Sequence, residues 1–311
     1  MNKSIKVFAP GSVSNVGCGF DILGFAIDGI GDEMIMSKND SNKIQIKPIE
    51  GYENLPTEPS KNVAGVAIQA MLDDLGSNQG FDLEIQKNIK PGSGIGSSSA
   101  SAAGAVVAAN ELLGKPYSRE QLVDFAMQGE VAASGDAHAD NAAPTVLGGF
   151  CIVRAYDPLD VIQIESPKDL WCVVIHPQIE IKTKDARELL STEVDLKKAI
   201  RQWGNVAGLI SGLHTSDYNL IGRSLEDHIV EKQRKVLIPE FDNLKNEVMN
   251  AGALGCSISG SGPSVFALCE GEAKAKDVSL AMNKVFSKTN IPFYIYASQV
   301  SNNGVRILEE I

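Results

Sequence analysis

Apolar positions along the chain recur with two periods, which predict a mixture of strands and helices. Ile5 to Phe8 reads as a strand, followed by a Gly/Ser/Asn-rich loop from Pro10 to Gly19 and an apolar stretch from Ile22 to Ile27. Alternation in Lys43-Ile44-Gln45-Ile46-Lys47 and in Phe81 to Ile89 predicts half-buried strands, whereas Asn62 to Leu75 has helical spacing. A second glycine-rich run, Pro91 to Ser99, leads into an alanine-rich helix from Ala100 to Leu113 that stops at Gly114-Lys115-Pro116. Arg119 to Ala133 is another helix, Ser134 to Pro144 a polar loop, and Gly148 to Ala155 a strand. Asp157-Pro158-Leu159-Asp160 is the expected domain junction, dividing the chain into 1–160 and 161–311. Beyond it come a strand (Trp171 to His176), helices at Thr183 to Leu190, Leu196 to Leu213 and Phe241 to Ala251, and a third Gly/Ser loop from Gly255 to Pro263. The strand Ser264 to Cys269, the helix Glu272 to Phe286 and a last strand at Phe293 to Gln299 complete the series. Periodicity alone permits an α+β protein or a doubly wound sheet equally.

Composition narrows the partners. With 311 residues, 43% hydrophobic and 22% charged, the chain is long enough for two packed domains and leaves little room for disorder. A net charge of −11 argues against nucleic acid or an anionic membrane as partner. An anionic ligand therefore has to be held by a local site. Cys18, Cys151, Cys172, Cys256 and Cys269 are odd in number and form no CxxC pair, as expected of reduced thiols. The N-terminus has no signal-peptide core and no apolar run reaches membrane-spanning length, so the expected location is the cytoplasm.

Pro91-Gly92-Ser93-Gly94-Ile95-Gly96-Ser97-Ser98-Ser99 carries the most chemistry. Glycines let backbone N–H groups converge, and the helix that follows adds the positive end of its dipole, a geometry that binds phosphate. The run is neither a Walker A loop, which needs Gly-Lys-Ser/Thr, nor the G-x-G-x-x-G dinucleotide fingerprint. On its own it is equally a tight turn with an N-cap. Glu130, near the end of its helix, suits Mg²⁺, which takes one or two carboxylates with phosphates and waters, although a solvated helix face is the commoner role of a lone glutamate. His138, Asp140 and Asn141 fall within four positions of one loop. Arg187 and Arg234 offer the planar fork that suits a ligand carboxylate, although a lone arginine is more often a surface residue. His176, His214 and His228 are scattered without metal-ligand spacing and read as structural.

Taken together, three loops resemble the three motifs of the GHMP kinases, in order. They are Ala9-Pro10-Gly11-Ser12-Val13-Ser14-Asn15-Val16-Gly17-Cys18-Gly19-Phe20-Asp21-Ile22-Leu23-Gly24, then Pro91 to Ser101, then Gly255-Cys256-Ser257-Ile258-Ser259-Gly260-Ser261-Gly262-Pro263-Ser264. The first is similar to the version found in the branch that acts on homoserine, not to the Gly-Glu-His version of galactokinases and mevalonate kinases. Similarity extends to Glu130, His138 to Pro144, Thr183 to Arg187 and Arg234 to Pro239. Ser99 departs from a common alanine and Ala139 from a frequent proline.

The resemblance implies a two-domain α+β fold, with an N-terminal domain like ribosomal protein S5 domain 2 and a C-terminal ferredoxin-like domain. It implies an activity, ATP-dependent phosphorylation of the side-chain hydroxyl of L-homoserine in threonine biosynthesis, with Mg²⁺, and allows a homodimer. By position, ATP falls to Asn62, Lys87, Pro91, Gly92, Ser93, Gly94, Ile95, Gly96, Ser97, Ser98, Ser99, Ala100 and Thr183, and the metal to Ser98 and Glu130. The amino acid falls to Asn15, Asp21, His138, Arg187 and Arg234, with Asn141 and Asn15 orienting its hydroxyl. Residue chemistry alone names Asp140 as general base, because a carboxylate accepts a proton and an amide does not; the resemblance implies catalysis without one. Other GHMP substrates, a silent ligand sensor on the same fold and, more distantly, a dinucleotide enzyme are the competing readings.

Overall fold

The computed structural model describes residues 4–135, 138–181 and 183–310, without the side chains of residues 132–134 and 183. The first half supplies β1 (Ser4–Ser14), β2 (Leu23–Asn39), β3 (Ile44–Ile46), β4 (Gly80–Gln86), β5 (Phe150–Tyr156) and β6 (Leu159–Ile164). It also supplies α1 (Val63–Leu75), α2 (Ser97–Leu112), α3 (Arg119–Ser134) and α4 (Ala139–Leu147). The second half adds β7 (Leu170–Pro177), α5 (Thr183–Glu188), α6 (Leu196–Thr215), α7 (Tyr218–Ser224), α8 (Glu231–Arg234) and α9 (Phe241–Asn250). It ends with β8 (Gly255–Ile258), β9 (Val265–Glu270), α10 (Gly271–Phe286), β10 (Phe293–Gln299) and β11 (Arg306–Glu310).

β11, β1, β2, β4 and β3 lie side by side in one sheet, which β5 and β6 extend from β2; β10, β7, β9 and β8 form a second, four-stranded antiparallel sheet. Strand β7 is apolar almost throughout because both of its faces are buried. Cys172 and Val174 point into the core of the first lobe, Val173 and Ile175 into the core beneath α9 and α10. Phe25 of β2 meets Phe150 of β5 at 4.8 Å and Phe266 of β9 at 5.7 Å between ring centroids, so the lobes share one continuous apolar contact. Burying a ring of this size contributes roughly 1.5–3 kcal/mol.

Helix α2 is buried on nearly every side, including all of Ala100, Ala102, Ala103, Ala105, Ala108 and Ala109. Its alanine richness follows from position, since only small side chains let α1, α3, α4 and the sheet approach one helix together. Helix α3 starts with a capping box, Ser118 with Gln121, which fixes where it begins.

Four local expectations are corrected. The Pro10 to Gly19 loop is strand as far as Ser14, because those residues pair with β2 across an irregularity at Pro10/Gly11. Half of the polar Ser134 to Pro144 loop is helix α4, whose inward stripe consists of small residues, Ala139, Ala142 and Ala143, that composition does not flag. Asp157 and Pro158 turn the β5–β6 hairpin, so the chain crosses between the sheets after Ile164, and β11 returns to the first sheet. Gly255 to Ile258, expected as loop, is strand β8.

Candidate active site

Pro91–Gly96 carries the chain into α2. Its glycines at 92, 94 and 96 have φ of 71°, 76° and 66°, the left-handed region that a side chain resists. Space excludes one as well, since a Cβ at Gly94 would lie 2.6 Å from the Ser259 carbonyl and one at Gly96 2.1 Å from Ser12 Oγ. The second lobe clamps this loop: Ser259 Oγ donates to the Gly94 carbonyl and Ser264 Oγ to the Ser93 carbonyl, both at 2.6 Å. Carbonyls tied down in this way suit an anion cradle, which is built from N–H groups.

The loop borders a cavity of ≈470 Å³ between the lobes. Also bordering it are Asn15, Asp21, Asn62, Lys87, Glu130, His138, Asp140, Asn141, Arg187 and Arg234, drawn from distant parts of the chain. Of the residues expected at the nucleotide, Pro91, Gly92, Ser93, Gly94, Gly96, Ser97 and Ser98 are present too. Ile95, Ser99 and Ala100 are not; all are at most 1% exposed, Ile95 and Ala100 packing into the apolar core and the Ser99 hydroxyl lying beside Glu130. Ala100 N–H is already used by the Gly96 carbonyl. Thr183 opens α5, and its side chain lies outside the described residues.

Several expected ligand groups are also held by the protein itself. Asn62 caps α1, accepting from Ala64 N–H at 2.9 Å and donating to the Pro56 carbonyl at 2.7 Å, so it anchors the segment at the cavity wall. Lys87 is 4% exposed, ion-paired with Asp32, and donates to the Ser97 carbonyl and to Ser101 Oγ. Burial pushes its pKa down, and the Asp32 carboxylate opposes that. Asp32 also accepts the N–H groups of Asn88 and Ile89 at 2.9 and 3.0 Å, so one carboxylate organises the entry to the glycine loop. Ser98 Oγ donates to Glu130 Oε2 at 2.9 Å. Burial raises the Glu130 pKa, against the Ser98 hydrogen bond and the Lys87 charge.

At the other residues, Asn141 Nδ2 donates to Ser14 Oγ at 2.8 Å while its Oδ1 accepts from Ser12 Oγ at 2.9 Å, which fixes the amide against β1. Asn15 donates to the Gly260 carbonyl at 2.9 Å and accepts the Asp21 N–H at 2.8 Å. Arg187 grips Asp21 through two bonds of 3.0 Å. Arg234, only 3% exposed, donates to the carbonyls of Ala186 and Gly260. Burial and then the nearby Arg187 charge lower its pKa. His138 stands at the N-cap position of α4. Burial, followed by the Asp21 charge, pushes Asp140 up to about 7 despite hydrogen bonds from Ser14 and the Asn15 N–H.

Sequence reasoning missed Ser12, Ser14, Asp32, Ser101 and Tyr156, whose hydroxyl donates to the Asp21 carbonyl at 2.9 Å. Ser12 and Ser14 sit inside the first glycine-rich segment and were findable there. Nothing in the local sequence marks Asp32 or Tyr156.

The family model for the GHMP kinases N terminal domain matches residues 62–149, and that for the GHMP kinases C terminal matches 209–288. With the glycine loop facing a cavity between two α+β lobes, these define the class: a GHMP kinase. A homoserine kinase of Chloroherpeton thalassium is 46% identical over 98% of this chain and 100% of the relative. The crystal structure of homoserine kinase from Cytophaga hutchinsonii superposes with a TM-score of 0.95 at 48% identity, covering 98% of this chain and 97% of that one. The L. major mevalonate kinase, at 18% identity and a TM-score of 0.71, shares the fold. Within the GHMP class, the chain belongs to the homoserine kinases.

Proposed function

We propose that the protein transfers the γ-phosphate of ATP to the side-chain hydroxyl of L-homoserine, yielding O-phospho-L-homoserine and ADP on the route to threonine. The supporting observation is that one cavity joins a glycine loop at a helix N-terminus to a zwitterion-matching set, Asp21 with Arg187 and Arg234. Ile49, Leu55, Pro56 and Val63 add an apolar wall suited to the nucleotide base. Backbone N–H groups of the loop and Ser97 receive the triphosphate. The substrate carboxylate competes with Asp21 for Arg187 and completes the charge of Arg234, while Asp21 takes the ammonium. Asn141, held by Ser12 and Ser14, orients the hydroxyl, and its proton passes to the transferred phosphoryl group.

Glu130 and the Ser98 hydroxyl beside it fit Mg²⁺, which accepts a carboxylate and a hydroxyl alongside phosphates and waters. Ser98 and Glu130 would hold the ion, which would supply neutralisation of the developing phosphate charge. The protein's own contribution is positioning, which a loose phosphoryl-transfer transition state chiefly demands. Turnover of MgATP with L-homoserine, against L-serine, L-threonine, mevalonate and galactose and with the product identified by mass, tests the assignment. Phosphorylation of another alcohol in preference would overturn it.

Asp140 and Asn141 separate two mechanisms. Asn141→Ala is expected to lower kcat about 10²-fold or more, on the scale of losing one positioned polar group at a reacting centre. Asp140→Asn should retain most turnover, because the amide imitates the protonated acid and still accepts from Ser14. The sign on stability is opposite to that of an ordinary paired carboxylate. Folding raises the Asp140 pKa to about 7, so between roughly pH 4 and 7 the folded state holds a proton that the unfolded chain has lost, and stability falls as pH rises. Asp140→Asn should therefore flatten that slope and raise the melting temperature at pH 8 by roughly 2–5 °C. Loss of turnover in a folded Asp140→Asn variant would make Asp140 the base.

Among the described residues no helix is long and apolar enough to cross a membrane, and the five cysteines are free and buried. Both fit a cytoplasmic enzyme. A homodimer fits the exposed Leu196, Ile200 and Trp203, which lie on one stripe of α6. Sedimentation as a monomer at micromolar concentration would exclude it.

A further inference from the structure

We infer that Phe20 is a positioning residue for the substrate carboxylate, its ring holding Arg187 and Arg234 together at the wall of one cavity. Three segments far apart in sequence meet here. Phe20 lies in the turn between β1 and β2, Arg187 near the end of α5, and Arg234 at the end of α8. The ring centroid is 5.4 Å from Arg187 Cζ and 4.8 Å from Arg234 Cζ, both inside the reach of about 6 Å at which a guanidinium is attracted to an aromatic face. Two guanidinium groups converging on one ligand repel each other. Asp21 neutralises Arg187, but the groups that Arg234 bonds are carbonyls, which accept without cancelling its charge. An aromatic ring supplies negative potential to both cations without competing for the fork as a second carboxylate would. A leucine of similar bulk supplies none.

The backbone that carries the ring is held at the next residue. Asp21 has φ of 60°, its N–H is bound by Asn15 Oδ1 at 2.8 Å, and its carbonyl accepts from Tyr156 at 2.9 Å. The Phe20-Asp21 pair therefore presents one cation-binding face and one carboxylate in set positions.

This inference rests on the reading that the two arginines receive the substrate carboxylate, so its test carries a control for that reading. Phe20→Leu is expected to raise the KM for L-homoserine about tenfold, the loss of two such contacts, with kcat changed less than about twofold. The KM for ATP and the melting temperature should stay at parental values. Phe20→Trp should restore the KM, because it keeps the π-face. Pentafluorophenylalanine incorporated at position 20 keeps the shape but reverses the ring quadrupole, and should raise the KM as leucine does; it decides the matter if Phe20→Leu fails to fold. Arg234→Lys is the control. If it raises the homoserine KM while the leucine and fluorinated variants do not, Phe20 has no positioning role and the carboxylate reading stands. If Arg234→Lys leaves the KM unchanged, the carboxylate reading fails, and this inference with it.

Discussion

If Glu130 holds Mg²⁺ as proposed, Glu130→Gln is expected to reduce turnover at millimolar Mg²⁺ about 10²-fold or more, since a carboxylate that holds a catalytic ion contributes both affinity and placement. The change is isosteric. The glutamine oxygen still accepts from Ser98, which lies 2.9 Å from the carboxylate in the native protein. Because burial already works against the Glu130 charge, a neutral amide should leave the folded state as stable or slightly more so. Lost activity would then reflect lost charge and not lost structure. Raising Mg²⁺ should recover part of the rate, and Mg²⁺-dependent binding of a fluorescent ATP analogue gives a readout independent of turnover. Full activity of Glu130→Gln at every Mg²⁺ concentration would reassign Glu130 as a scaffold for the start of α2.

The second large effect belongs to stability. Asp32→Ala is expected to cost about 3–5 kcal/mol, the scale for removing one partner of a buried ion pair, and to lower the melting temperature by roughly 6–15 °C. Asp32 is 0% exposed and Lys87 4% exposed, so solvent does little to screen either. The substitution strands Lys87 and also releases the N–H groups of Asn88 and Ile89, which lead into the glycine loop. Nucleotide affinity should weaken along with stability. Replacing both partners, as Asp32→Leu with Lys87→Met, should recover much of the melting temperature, because an apolar pair leaves no orphaned charge. It should not recover ATP affinity, since the contacts from Lys87 to the Ser97 carbonyl and Ser101 would remain absent. A double variant that binds ATP normally would show the pair to be purely structural.

The two ends of the reaction are legible to different degrees. The proposed phosphate loop was visible because its chemistry is local: alternate glycines, serines and the start of a helix occupy one stretch of chain, and backbone N–H groups need no distant partner. Even there, position alone overreached. Ile95, Ser99 and Ala100 follow the same motif, yet all three are buried away from the cavity lining, Ile95 and Ala100 in the apolar core and Ser99 beside Glu130. The proposed amino-acid pocket has no local signature, and its residues were assigned by resemblance. Asp21, Arg187 and Arg234 lie on the β1–β2 turn, α5 and α8, and only the packing of the two lobes brings their charges together.

What the sequence determined by itself was the set of strands and helices with strong periodicity, the acidic character that argues against polyanionic partners, and the three glycine-rich motifs in order. Hydrophobic period and loop composition act over a few residues, so they survive in one dimension. Tertiary structure alone decided that part of a polar loop becomes helix α4, that β11 closes the first sheet, and that Asp32 neutralises Lys87 beneath the phosphate loop. It also turned Asn62, Asn15 and Asn141 toward partners within the protein. Each of these depends on which groups are shielded from water together, and burial is a property of the packed molecule.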